Sequence, residues 1–152
     1  MSLSLHWTCK KFDELSTSEL YAIMKLRSEV FVVEQNCVYL DADDKDSDSY
    51  HLCGVMDNNQ LVAYTRLMPP GSSYPDASIG RVVTATAYRK EGYGKILMQE
   101  SIRRCFELFD TPSITIGAQQ YLLKFYSELG FHKKGDSYLE DGIPHIKMTL
   151  IK

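Results

Sequence analysis

The stretch YRKEGYGKIL, Tyr88 to Leu97, restricts this chain most, because it joins two elements of different period through two glycines. Ahead of it SIGRVVTA, rich in β-branched residues, reads as a strand. Behind it Met98, Ile102, Cys105, Phe106 and Phe109 recur with the period of one helix face, so a long amphipathic helix is expected there. A strand-to-helix turn leaves the first helical amides without acceptors, and the positive end of the helix dipole favours an anion at that point. Gly92 and Gly94 remove side chains that would hold a diphosphate off the backbone, and Arg89, Lys90 and Lys95 surround the turn with positive charge. The same glycines also serve as plain punctuation of a helix start. Spacing alone leaves both readings open.

The rest of the chain supplies short strands and few helices. LSLHWTCKKF reads as a first strand, and Ser16 with Glu19 makes a capping box for a helix running towards Phe31, with Leu20, Ile23, Met24, Val30 and Phe31 on its apolar face. A polar, irregular connection, VVEQNCVYLDADDKDSDSY, follows. HLCGVMD and QLVAYTRLM flank Asn58 and Asn59, which tolerate positive φ, so a β-hairpin is expected. SITIGA reads as a short buried strand, LLKFYSEL as a helix stopped by Gly130, and SYLEDG and HIKMTLIK as two final strands around a Gly-Pro turn. The order is βα, βββ, αβ, αββ, with no repeat and no linker, which reads as a single mixed α/β domain over residues 1–152.

Composition narrows the function classes. A chain of 152 residues buries roughly two thirds of the surface its unfolded form exposes, enough for one core. No run approaches the roughly 18 apolar residues of a membrane span, and MSLSLHWTCKK has neither a basic nor a continuous apolar leader segment, so a cytoplasmic protein with no membrane partner is expected. The net charge of -3 argues against a general nucleic-acid binder. Cys9, Cys37, Cys53 and Cys105 are far apart, with no CxxC pair, and read as reduced thiols rather than metal ligands.

This order of elements, with RxxGxG opening the central helix and GAQQYLLKFYSELGF after it, resembles the GNAT superfamily of acyl-CoA-dependent N-acetyltransferases. More narrowly, KLRSEVFVVEQNCVYLDADDKD, YTRLMPPG, IGRVV, FYSELGF and YLEDGIPHIKM are similar to its ElaA-type branch. The resemblance covers nearly the whole chain. It implies the GNAT fold, an α/β arrangement whose mixed, mostly antiparallel central sheet is splayed in a V and flanked by helices. It also implies acetyl-CoA as co-substrate, no metal, an amine on a small molecule or peptide as acceptor, and a monomer or homodimer. Arg89, Lys90, Glu91, Gly92, Tyr93, Gly94 and Lys95 would cradle the diphosphate, and Val82, Val83 and Thr84 would pair with the pantetheine arm. An amide near Val83 would face the thioester carbonyl as a single oxyanion donor. Gln119 and Leu122 stand where the broader family has Asn and Ala, so the side-chain contacts on that wall differ.

The resemblance further implies direct attack by the amine in a ternary complex, which needs a base for the ammonium proton and an acid for the departing thiolate. Tyr126 matches the family's general acid, although Leu122, Phe125, Tyr126 and Leu129 share one helix face, which by periodicity also describes a core tyrosine. Glu34 is the first candidate for the base, with His51 and His145 behind it, because IGRVV offers no carboxylate. Cys37 and Cys53 lack the paired His and Asp of a covalent route. The run of Asp41, Asp43, Asp44, Asp46 and Asp48 lacks the glycine and glutamate of a calcium loop and reads as solvated, or as a lure for a cationic acceptor. Arg66 and Arg81 either pair with carboxylates inside the sheet or reach towards the acceptor. A non-catalytic acyl-CoA-binding module would keep the same fold, whereas another kind of nucleotide-phosphate binder would need a parallel sheet, which the hairpin at Asn58 and Asn59 opposes.

Overall fold

A computed structural model describes residues 5–152. Strand β1 (His6–Lys11) leads to helix α1 (Thr17–Arg27), which begins where its capping box places it. The Ser16 Oγ accepts from the Glu19 amide at 3.0 Å, and the Glu19 carboxylate accepts from the Ser16 amide at 2.8 Å. The helix does not end as expected near Phe31. After Arg27 it widens into a π-helical segment, Ser28–Glu34, a form found often at functional sites. Leu3 and Ser4 of the expected first strand lie outside the described residues.

β2 (Tyr50–Val55) and β3 (Leu61–Met68) form the expected hairpin, with Asn59 at φ +66°. With β4 (Ser78–Thr84) they complete an antiparallel sheet of order β1-β2-β3-β4. β5 (Ser113–Gln119), β6 (His132–Glu140) and β7 (Ile143–Ile151) form a second antiparallel sheet of order β5-β7-β6. A parallel bridge between Ala77 and Ile114, with the Thr115 amide donating to the Ala77 carbonyl at 2.9 Å, joins the two sheets where β4 and β5 begin. Beyond that bridge no ladder links β4 and β5 among the described residues. The strands therefore part into a V.

β4 is irregular at its middle. Tyr64 pairs with Val83 and Arg66 with Gly80, so β4 takes three steps where β3 takes two, and Arg81 sits in the left-handed region at φ +51°. A bulge of this kind bends the strand and leaves local backbone groups outside the ladder.

α1 and α2 (Tyr93–Phe109) cover opposite faces of the first sheet. Alternation along β3 sends Tyr64 towards Ile23 and Leu26 of α1, and sends Ala63 and Leu67 towards Leu97 and Met98 of α2. The α2 face is continuous with the main core, where Met98 and Cys105 pack with Ile114, Ile116 and Ala118 of β5 and with Tyr126 of α3 (Leu123–Glu128). Gly130 at φ +103° ends α3 as expected, with its amide bonded to the Ser127 carbonyl at 3.0 Å.

The last hairpin differs from its expectation. β6 starts at His132, and the turn is Asp141–Gly142, both at positive φ, rather than Gly-Pro. Pro144 lies inside β7 opposite Leu139, one residue before the pairing with β5 ends at His145, so its missing N–H interrupts no bond to β5. Among the described residues no helix is long and apolar enough to cross a membrane.

Candidate active site

A cleft of about 870 Å³ opens where β4 and β5 diverge. Val82, Val83 and Thr84 line one wall and Gly117 and Gln119 the other, while Tyr126 reaches it from α3. Arg89 lines the cleft at the turn leading into α2. In that turn Lys90 (φ +69°) and Gly92 (φ +81°) adopt left-handed conformations, and Gly92 is the cap residue of α2. The first helical bond of α2 runs from the Ile96 amide to the Gly92 carbonyl at 3.3 Å, which leaves the amides of Tyr93, Gly94 and Lys95 without helical acceptors. The side chains of Lys90, Glu91 and Lys95 are exposed. The Tyr93 ring is buried edge-on to Tyr88, so Tyr93 offers backbone rather than ring to this turn.

The two glycines differ in what they answer to. A Cβ on Gly92 would meet nothing, but its positive φ disfavours any other residue. Gly94 has no such backbone demand, and a Cβ there would meet only the Phe125 ring at 3.9 Å. The fold does not need a glycine at position 94.

Tyr126 is 5% exposed and packs edge-on against Phe125 and Phe131, with centroids 5.1 and 5.9 Å apart. It is both a core tyrosine and a cleft residue. Burial pushes its hydroxyl up to about 12, so the phenol holds its proton at neutral pH. Among the described residues that hydroxyl makes no hydrogen bond.

The three base candidates part company. Glu34 lies at the cleft, but both of its oxygens accept from the Arg89 guanidinium at 2.5 Å, and that pairing lowers its pKa. A carboxylate so held is a poorer proton acceptor. His51 is fully buried between the Tyr64 hydroxyl (2.7 Å) and the Asp46 carbonyl (2.9 Å), and burial lowers its pKa; it does not line the cleft. His145 does. Its Nδ1 lies 2.7 Å from the Ile143 carbonyl, and its Nε2 lies 3.6 Å from Glu140. Cys37 also borders the cleft, where its thiol donates to the Asp141 carbonyl at 3.4 Å, whereas burial raises the Cys53 thiol to about 12.

The acidic run is not the solvated loop expected of it. Asp41 accepts from the Arg27 Nε at 2.7 Å and the Arg81 Nε at 2.8 Å, Asp43 takes two bonds from Arg66 at 2.7 Å, and Asp46 bridges Arg27 and Arg66. Arg66 and Arg81 thus pair with carboxylates. Burial alone would raise the carboxyl of Asp43; hydrogen bonds and charge from Arg66 reverse that and hold it well below the usual range. Only Asp44 and Asp48 of the run stay exposed. The folded loop forms one side of the cleft with Tyr39, Leu40 and Asp43.

Sequence reasoning missed Tyr74 and Tyr138. A Cβ on Gly117 would lie 2.7 Å from the Tyr138 hydroxyl and 3.0 Å from that of Tyr74, so glycine in β5 makes room for two phenols, of which Tyr74 lines the cleft. The signal was the lone glycine in SITIGA, which marks close approach by a neighbour.

A family model described as an acetyltransferase (GNAT) domain matches residues 20–152. A UPF0039 protein of Synechocystis is 42% identical over 96% of this chain and 95% of its own length, and ElaA of Escherichia coli is 40% identical over 95% of both chains. The crystal structure of an acyl-CoA N-acyltransferase from Pseudomonas aeruginosa superposes with a TM-score of 0.89 at 42% identity, covering 97% of this chain and 99% of that one. That of Escherichia coli ElaA gives 0.88 at 39% identity, covering 96% and 99%.

Proposed function

The chain belongs to the GNAT acetyltransferase family, and from that premise we propose that it moves an acetyl group from acetyl-CoA to a primary amine by direct attack in a ternary complex. The observation that carries this reading is one cleft that runs from Arg89, just ahead of the glycine turn, along the parted edge of β4 to Tyr126.

In this reading the leftover amides of Tyr93, Gly94 and Lys95 hold the diphosphate, with Gly92 shaping the turn and the exposed Lys90 and Lys95 adding charge. Arg89 and Glu91 complete the rim. Val82, Val83 and Thr84 pair with the pantetheine arm along an edge that β5 does not occupy, and Gln119 faces it from the other wall. An amide of β4 near Val83, beside the bulge, would receive the thioester oxygen as its charge develops. Neutral amine attacks the carbonyl carbon, the C–N bond forms, and the C–S bond breaks. Tyr126, protonated at neutral pH, gives its proton to the leaving sulfur.

Tyr126→Phe tests this most directly, because it deletes one hydroxyl and keeps the ring that packs on Phe125 and Phe131. Release of CoA thiol is followed in single turnover with a panel of amines. Transfer should fall by roughly 10² to 10⁴ while CoA affinity in calorimetry stays the same. Wild-type rates in the variant would overturn the acid assignment. A wild type that binds CoA and yet releases no thiol with any amine would make the protein a binding module.

A further inference from the structure

We infer that His145 is the general base, the group that takes the proton from the acceptor ammonium and so sets which face of the sheet the amine must enter from. The inference rests on the acyl-transfer reading and adds to it the base and the acceptor's side of approach.

A carbonyl oxygen can only accept, so the 2.7 Å contact between Ile143 and Nδ1 requires Nδ1 to carry the hydrogen. The neutral ring is then the tautomer with a bare lone pair on Nε2. Ile143 and His145 are two residues apart on β7, so the strand itself fixes this choice. The residue is 7% exposed, and its ring stacks on Tyr138, with centroids 5.9 Å apart and 27° between planes, which holds its orientation.

The charged and titratable groups around it are few. Glu140 and Tyr138 approach from β6, Asp141 stands at the hairpin turn, and Lys147, further along β7, lies 5.9 Å over the ring of Tyr74. Glu140 sits 3.6 Å from Nε2, outside hydrogen-bond reach, so the lone pair there is left uncommitted.

Placement is the second support. Ile114, Ile116 and Ala118 of β5 face the core that contains Tyr126, while Gly117 faces the hydroxyls of Tyr74 and Tyr138. His145 pairs with Gln119, and its partner Tyr138 reaches over Gly117, so ring and phenol share that second face. Acid and base thus stand on opposite faces of one strand beside the gap that would receive the thioester. An amine arriving on the Tyr138 side loses one proton to Nε2, attacks the carbonyl carbon, and sends the thiolate towards Tyr126. The second nitrogen proton restores the Tyr126 phenol through solvent, and the imidazolium discharges to water, so one proton is released per acetyl group moved.

The test is the pH dependence of transfer to a primary amine in wild type, His145→Asn and His145→Gln, with CoA affinity measured in each. Asparagine keeps an N–H for the Ile143 carbonyl and removes the accepting nitrogen, so the local fold has a second route to survive. At neutral pH kcat/KM should drop by roughly 10² to 10⁴ in both variants, with CoA affinity unchanged. The deficit should shrink as pH climbs towards the amine's own pKa, where the acceptor arrives already neutral. A structural role would give a deficit that does not depend on pH. If wild type transfers acetyl and a folded His145→Asn matches its rate and pH profile, the assignment of His145 is wrong and the acyl-transfer reading stands. If wild type binds CoA and transfers to no amine, both fail.

Discussion

Two charged regions border the cleft, the loop carrying Asp41, Asp43 and Asp46 and the turn from Arg89 to Lys95, and they dispose of their polar groups in opposite ways. In the loop, three carboxylates meet Arg27, Arg66 and Arg81 at 2.7 to 3.4 Å, and each of those six groups has a charged partner. In the turn, three amides at the start of α2 have no helical acceptor, and Lys90 and Lys95 stand exposed. Read as sequence, the acidic loop is the more conspicuous of the two. Hydrogen-bonding capacity left over at a cleft, rather than charge as such, marks where a ligand binds.

The largest expected effect comes from breaking the loop's side of this contrast. Arg27 is fully buried, and its guanidinium bonds both Asp41 and Asp46. Arg27→Met leaves Asp41 with Arg81 alone and Asp46 with Arg66 alone, both poorly solvated, and removing one partner from a buried ion pair costs about 3–5 kcal/mol. That is a large share of the roughly 5–15 kcal/mol that holds a domain together. Urea unfolding measures it. A loss under about 1 kcal/mol would show that the loop is an ornament on the cleft and not one of its walls.

The turn responds in the other currency, affinity. Because position 94 has no positive φ and room for a Cβ, Gly94→Val should leave unfolding nearly unchanged and still put a branched side chain in the path of the diphosphate. CoA affinity should fall at least tenfold, about 1.4 kcal/mol, in calorimetry. Gly92→Val cannot make this separation, since its φ of +81° penalises fold and site together. Unchanged affinity in Gly94→Val would reduce the turn to helix-start punctuation.

What was legible beforehand follows the range of the interactions involved. The capping box at Ser16, the hairpin at Asn59, the stop at Gly130 and the glycine turn are set by residues within a few positions of one another, and each stands where the sequence put it. The π-helical segment after Arg27, the bulge at Arg81 and the inward folding of the acidic loop were not legible. Arg81 reaches Asp41 across 40 positions of sequence and Arg66 reaches Asp43 across 23, and no local pattern announces such pairs. The same holds for Tyr138, which reaches Gly117 from another strand of the sheet. Of the residues named from the family pattern, Val82 to Thr84, Arg89, Gln119 and Tyr126 line one cleft, whereas Lys90, Glu91, Gly92, Tyr93, Gly94 and Lys95 do not line it.

Glu34 and Arg89 lie between the two regimes, and they give the smallest effect expected. Their pair is bidentate, as in the loop, yet both side chains are more than a third exposed, so solvent screens it and its worth is about 0.2–1 kcal/mol. Arg89 belongs to the diphosphate turn, and Glu34 competes with any phosphate for that guanidinium. Glu34→Gln removes the competitor's charge. CoA affinity should tighten by up to about fivefold, the equivalent of that energy, and the gain should fade as salt is raised. Acetyl transfer should change by less than tenfold, because a carboxylate committed to Arg89 is not accepting the amine's proton. A loss of 10² or more in kcat/KM, with CoA affinity untouched, would return the base to Glu34 and would mean that the ion pair opens when acetyl-CoA arrives.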